Sequence, residues 1–123
     1  MRVYATKWFS RFAKSERISD SRLCDAVERA ARGLLDADLR RGLIKQRVSR
    51  PGQGRRGGYR VLIAYRAGER AVFLYGFAKS QRDNISAPQL AEWQARAHDV
   101  LAAEHDAIER LIADDELREV YCD

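Results

Sequence analysis

Two apolar runs joined by a three-residue turn set most of what this chain can fold into. Tyr59 to Arg66 (YRVLIAYR) and Arg70 to Phe77 (RAVFLYGF) each have strand length, and Ala67-Gly68-Glu69 between them supplies the turn. Both runs are apolar on both faces, so a sheet built from them needs a cover. Upstream, Leu43 to Ser49 (LIKQRVS) alternates, with Ile44 and Val48 pointing one way and Lys45 and Arg47 the other. Three such strands in succession predict an antiparallel meander. One face meets helices; the other, partly aromatic, forms the floor of a cleft.

The helices are legible at the two ends of the chain. Residues 2 to 5 (RVYA) read as a short strand. Trp8, Phe9, Phe12 and Ala13 then recur at helical spacing and are read as core. Ser19 stands where an N-cap would, with Ile18 able to staple onto Leu23. Leu23, Val27, Ala30 and Leu34 continue that stripe until Gly33 can end it. Further on, Ser86-Ala87-Pro88-Gln89 is a capping box with proline in the first turn. The helix that follows carries Leu90, Trp93, Ala97 and Leu101 on one side and is expected to run, bent, to about Ala113. Leu117 to Cys122 then reads as a final strand.

These elements predict an α+β fold: a small, mostly antiparallel sheet with two N-terminal helices on one face and a C-terminal helix. At 123 residues, with no repeat and no linker, the chain reads as a single domain spanning 1–123, with an acidic helix-and-strand extension from about residue 99. No apolar run approaches the ~20 residues needed to span a bilayer. MRVYATKWF lacks the apolar core of a signal peptide, which points to the cytoplasm. Cys24 and Cys122 have neither metal nor redox spacing and are expected to be reduced.

Charge carries the functional signal. From Leu39 to Gly68 there are nine basic residues and no acid; from Asp99 to Asp123 nine acids face only Arg110 and Arg118. A segregated basic region is the footprint of a polyanion site. At its centre lies RPGQGRRGGYR, with four glycines, four arginines and no acid. Its glycines match neither GxxxxGK[ST] nor a GxGxxG that opens a helix after a strand, so nucleotide-phosphate loops are set aside. His98 and His105 are read as ordinary helix residues, and the chain offers no metal site.

Antiparallel pairing can bring Lys45, Arg47, Arg60, Lys79 and Arg82 around one concave patch. Arg50, Arg55 and Arg56 line its loop, and Tyr59 and Phe77 are placed to stack on bases. RNA brings its own nucleophile, the 2′-hydroxyl. An enzyme need only align it, take its proton, stabilise the crowded phosphorane and protonate the leaving 5′-oxygen. Arginine and lysine supply the electrostatic part. A lysine among arginines has its ammonium form disfavoured and could serve as the base. No cofactor is needed.

At this point IKQRVSRPGQGRRGGYRVLIAYR, followed by FLYGFAKSQRDNIS, resembles the RelE/HigB-like toxins of bacterial type II toxin–antitoxin systems. The resemblance implies cleavage of messenger RNA in the ribosomal A site without a metal. It makes Lys45 the candidate base or orienting cation and Arg60 the stabiliser of the scissile phosphate, with Arg47, Lys79 and Arg82 beside them. It also implies an antitoxin, often one with a helix-turn-helix DNA-binding domain, and the ribosome and its message as partners, with no membrane. Ser80 and Ser86 stand where some relatives carry an arginine and a tyrosine or histidine, which leaves the general acid unassigned. Two alternatives stay open: a ParE-like gyrase inhibitor that cuts nothing, and a non-catalytic RNA-binding module.

Overall fold

The computed structural model describes residues 1–49, 58–78 and 85–122. In chain order the elements are β1 (Arg2–Thr6), α1 (Lys7–Ser15), α2 (Asp20–Ala31), β2 (Ala37–Asp38), β3 (Leu43–Val48), β4 (Tyr59–Arg66), β5 (Arg70–Ala78), α3 (Ala87–Ala102), α4 (His105–Ala113) and β6 (Leu117–Val120). The strands form one sheet in the order β2-β3-β4-β5-β1-β6. The expected meander is its centre, and every neighbouring pair is antiparallel except β1 with β5. The fold is α+β, as the pattern of elements implied.

Local chemistry fixes the helix ends. Thr6 Oγ1 accepts from the Phe9 N–H at 3.1 Å and starts α1. Ser19 caps α2 in the same way. The predicted capping box opens α3, its two reciprocal contacts joining Ser86 and Gln89. α1, α2 and α4 close through left-handed residues, Arg17 (φ 58°), Gly33 (φ 80°) and Asp115 (φ 62°). At each, two back-directed N–H bonds satisfy the last carbonyls of the helix.

Both faces of the sheet are buried. On one side α1 and α2 bring Phe9, Ala13, Leu23, Val27 and Ala30 against Val61, Ile63 and Phe73. On the other, α3 and α4 bring Ala97, Leu101 and Ile108 against Tyr4, Leu43, Leu62, Ala64 and Val72. Each such apolar side chain contributes about 1.5–3 kcal/mol by leaving water. The second face is therefore a second core rather than an open cleft floor. The C-terminal helix is also two helices, since Ala103 adopts an extended conformation (φ −62°, ψ 133°) between α3 and α4.

Strict alternation fails once, in β5. A bulge sets Leu62 opposite Tyr75 but Ile63 opposite Phe73, so Leu74 is extra. Beyond it, Tyr75 joins the α3-side core and Gly76 turns under α1. A Cβ at Gly76 would lie 2.5 Å from Phe12 Cε2, which is why that position carries none.

β6 is latched onto β1 and α2. Arg2 grips Glu119 through two hydrogen bonds of 2.9 and 2.7 Å, and Arg118 grips Asp20 through two of 3.1 Å. The Arg2 hydrogen bond holds the Glu119 carboxyl below its ordinary pKa. Cys24 and Cys122 are not free thiols. They form a disulfide between α2 and the residues after β6, with Cα atoms 5.6 Å apart. Sequence spacing could not show this, because 98 residues separate the two and only strand pairing brings them together.

Candidate functional site

The sheet register assembles the predicted cations. Arg47 on β3 pairs with Arg60 on β4, and Arg60 pairs with Phe77 on β5. One rung along, Lys45 pairs with Leu62, which pairs with Tyr75. Directly opposed residues hold their Cβ atoms about 4.5–5.5 Å apart. Lys45, Arg47 and Arg60 thus share the face that carries α3, at the end of the sheet where the glycine-rich segment leaves β3 and enters β4.

The three differ in exposure. Arg47 is exposed, Lys45 is half-buried and Arg60 is only 8% exposed. A guanidinium withdrawn from bulk water acts more strongly on any anion that reaches it. Arg50, Arg55, Arg56, Lys79 and Arg82 lie outside the described residues.

Two candidates are corrected. Tyr59 is 2% exposed, its ring edge-on to Phe12 and its hydroxyl donating to Glu16 Oε1 at 2.7 Å. Phe77 is 4% exposed. Both rings are core, so neither presents a face for a base to stack on. Their aromatic character fitted a stacking platform, but β-strand cores use the same residues.

Nearby rings stack on one another, and Trp8, expected in the core from its spacing, stays 48% exposed. Trp8 stacks on Phe12 (5.4 Å between centroids) and on Tyr75 (4.6 Å), and Tyr75 stacks on Trp93 (4.9 Å). The Arg96 guanidinium lies over the Trp93 ring at 4.8 Å.

What holds β3 in place was not foreseen. Gln46 is fully buried. Its Nε2 donates to the carbonyls of Ala26 (3.0 Å) and Leu34 (3.1 Å), and its Oε1 accepts from the Asp36 N–H at 2.9 Å. One amide thus ties β3 to α2 and to the chain entering β2. β2 pairs only as far as Lys45. Past it, side chains close the outer edge of β3. Asp36 accepts from the Arg47 N–H, Arg29 donates to the Arg47 carbonyl, and Arg22 donates to the Ser49 carbonyl at 3.2 Å. Asp36 also lies 3.7 Å from the Arg47 guanidinium. A glutamine flanked by Lys45 and Arg47 gave no sequence signal beyond being polar on the apolar side of an alternating strand.

Among the described residues no three His, Cys, Asp or Glu side chains group to hold a metal ion. None of the described helices is long and apolar enough to cross a membrane.

Comparison with known families bears on this arrangement. The model for the RelE toxin of the RelE / RelB toxin–antitoxin system matches residues 1–120. The protein is therefore a toxin of the toxin–antitoxin class, the kind of molecule whose action is restrained by a dedicated partner. Within that class it belongs to the RelE family, and such toxins pair with an antitoxin. No curated protein matches the chain.

Proposed function

We propose that this toxin is an endoribonuclease that cuts messenger RNA on the ribosome, in the cytoplasm, without a metal ion. The observation that carries the reading is the shared row: Arg47 and Arg60 are register partners, Lys45 lies one rung away, and all three sit on one face. The surrounding segment from Leu39 to Gly68 contains no acid, and the carboxylate that the structure sets against the row is Asp36, 3.7 Å from the Arg47 guanidinium.

In this reading the 2′-oxygen of one nucleotide attacks the adjacent phosphorus. Lys45 orients that hydroxyl or takes its proton. Arg60 and Arg47 hold the non-bridging oxygens as negative charge builds on them. The bond to the 5′-oxygen breaks and that oxygen leaves with a proton, giving a 2′,3′-cyclic phosphate and a 5′-hydroxyl. Lys79 and Arg82, just after β5 in sequence, are assigned to the same phosphate, and Arg50, Arg55 and Arg56 to the flanking backbone. The antitoxin is assigned a helix-turn-helix DNA-binding domain and a segment that covers this basic face.

The test adds purified wild type, Lys45→Ala and Arg60→Ala to a translating extract and maps message ends by primer extension. In-frame cuts are expected with wild type. Loss of one oxyanion contact typically costs about 10²–10³-fold in rate, and cutting should fall at least that far in Arg60→Ala. Cuts that survive unchanged in both variants overturn the site. An uncut message with translation intact overturns the reaction; a DNA-damage response in cells expressing the toxin would then favour gyrase as the target.

A further inference from the structure

The turn that leads into β3 carries a cation beyond the Lys45–Arg47 pair. Arg41 enters the strand from the β2–β3 turn and lines a cavity of about 680 Å³ between that turn, the end of β4 and the flank of α3. Arg66, Tyr65, Gln94 and His98 line it too, and Asp99 is its one acid among the described residues.

The turn that presents Arg41 is unusual. Arg40 (φ 73°), Arg41 (φ 57°) and Gly42 (φ 83°) are all left-handed, and two of the three have side chains that disfavour it. The surroundings hold them there. Leu39 N donates to the Leu43 carbonyl at 2.8 Å, Arg40 N to Asp38 Oδ1 at 2.9 Å, and Tyr65 N to the Gly42 carbonyl at 2.8 Å. From α3, Gln94 Nε2 donates to the Leu39 carbonyl at 2.7 Å, and Leu101 packs where a Gly42 side chain would be. β4 and α3 together fix the backbone of the turn that presents Arg41.

The guanidiniums retain capacity. Among the described residues Arg41 has no ion-pair partner. Arg66 donates once, to the Leu101 carbonyl at 3.3 Å, and meets Glu69 only at 4.0 Å. Five N–H donors per guanidinium leave most of the fork unspent.

We propose that this cavity is a phosphate subsite for the RNA strand gripped by Lys45, Arg47 and Arg60. The strand would run from the cleavage site to Arg41 and Arg66, passing outside Leu43, which α3 buries. The inference rests on the ribonuclease reading and extends it. Four strand steps separate Arg47 from Leu43, about 13 Å at 3.3 Å per residue, and Arg41 stands two residues further on in the left-handed turn. Cations on one strand and on the turn that enters it suit a linear polyanion. His98 gives the cavity a ring surface of the kind that can hold a single-stranded base, while Tyr65 lines it from β4 with its ring packed on the α1 and α2 side.

The test measures binding of fluorescent single-stranded RNA by the whole chain over a salt series. One oligonucleotide spans only the Lys45–Arg60 face; a second reaches past the end of β3, at least ~13 Å further. The variant is Arg41→Asn with Arg66→Gln, since asparagine tolerates a left-handed backbone. Thermal unfolding checks that it folds, and Arg41→Lys restores the charge. The long RNA should bind the double variant at least several-fold more weakly. Its salt slope should fall by roughly 0.7 for each phosphate released, while the short RNA is unaffected. Arg41→Lys should recover much of the loss.

Equal binding of the long RNA to variant and wild type overturns the subsite, as does a wild type that binds both lengths alike. An Arg41-dependent affinity for a glutamate-rich peptide, with RNA binding unchanged, also overturns it and gives the cavity to an acidic protein segment. Cuts by the double variant in the translating extract keep the cleavage reading standing in each of these cases. Loss of cutting by wild type itself is the separate result that removes it.

Discussion

Replacing Gln46 with leucine tests whether one buried amide positions the basic strand. Leucine has similar volume but cannot make the bonds to the Ala26 and Leu34 carbonyls or to the Asp36 N–H. At about 1 kcal/mol net each, three bonds amount to about 3 kcal/mol. Leaving the part-buried Leu34 carbonyl and Asp36 N–H without these partners raises this to at most about 5 kcal/mol. For a domain of this size the midpoint of thermal unfolding should fall by about 12–20 °C. Urea unfolding followed by circular dichroism should give the same loss with an unchanged slope. Activity should fall beyond what the unfolded fraction explains, because Asp36 also holds the Arg47 N–H. A loss below about 1 kcal/mol would refute the reasoning, since it would mean that the amide's bonds are replaced at no cost.

Other outcomes follow from the same contacts. Reducing the Cys24–Cys122 bond, which spans 98 residues of sequence, or making Cys24→Ser, should lower stability in urea by about 2–5 kcal/mol; equal midpoints with and without reductant would argue that the bond does not form in solution. Gly76→Ala forces a Cβ to within 2.5 Å of Phe12 and should cost about 1–3 kcal/mol in a thermal melt, recoverable in part by Phe12→Leu. Glu119 has its folded pKa lowered by Arg2, so its contribution is present above the ordinary carboxylate value of 4.5 and is lost as pH falls through the lower, folded value. Stability measured from neutral to acid pH should therefore show a drop that Glu119→Gln removes.

Much of the frame was readable because local rules govern it. Period-two alternation located β3, apolar runs on either side of a short turn located β4 and β5, and the caps at Ser19 and Ser86 were visible as residue patterns. The break after Ala102 was not, because no glycine or proline marks it. Pairings distant in sequence were also hidden. β1 joins β5 in parallel and β6 antiparallel, and the disulfide follows from that closure. The basic row was legible in part. Charge segregation and alternation put Lys45, Arg47 and Arg60 together, whereas the burial of Tyr59 and Phe77 depends on what α1 and the neighbouring strands cover. Gln46, Arg29 and Asp36 were missed because each acts on backbone atoms of other elements, and side-chain type alone does not reveal a backbone partner.

The bulge in β5 has a consequence for how this chain can change over generations. It works as a phase shift, with residues before Leu74 and residues after Tyr75 obeying opposite parities. Losing one residue there, or gaining one elsewhere in β5, would exchange the two sides of everything downstream. Gly76 would turn toward α3, and Phe77 would leave the row of Arg47 and Arg60 for the side packed by Phe12. Point substitutions in β5 can be tried one at a time, but a length change there can survive only with a second, compensating length change in the same strand. Lineages of this toxin should therefore vary β5 in letters and keep it constant in count.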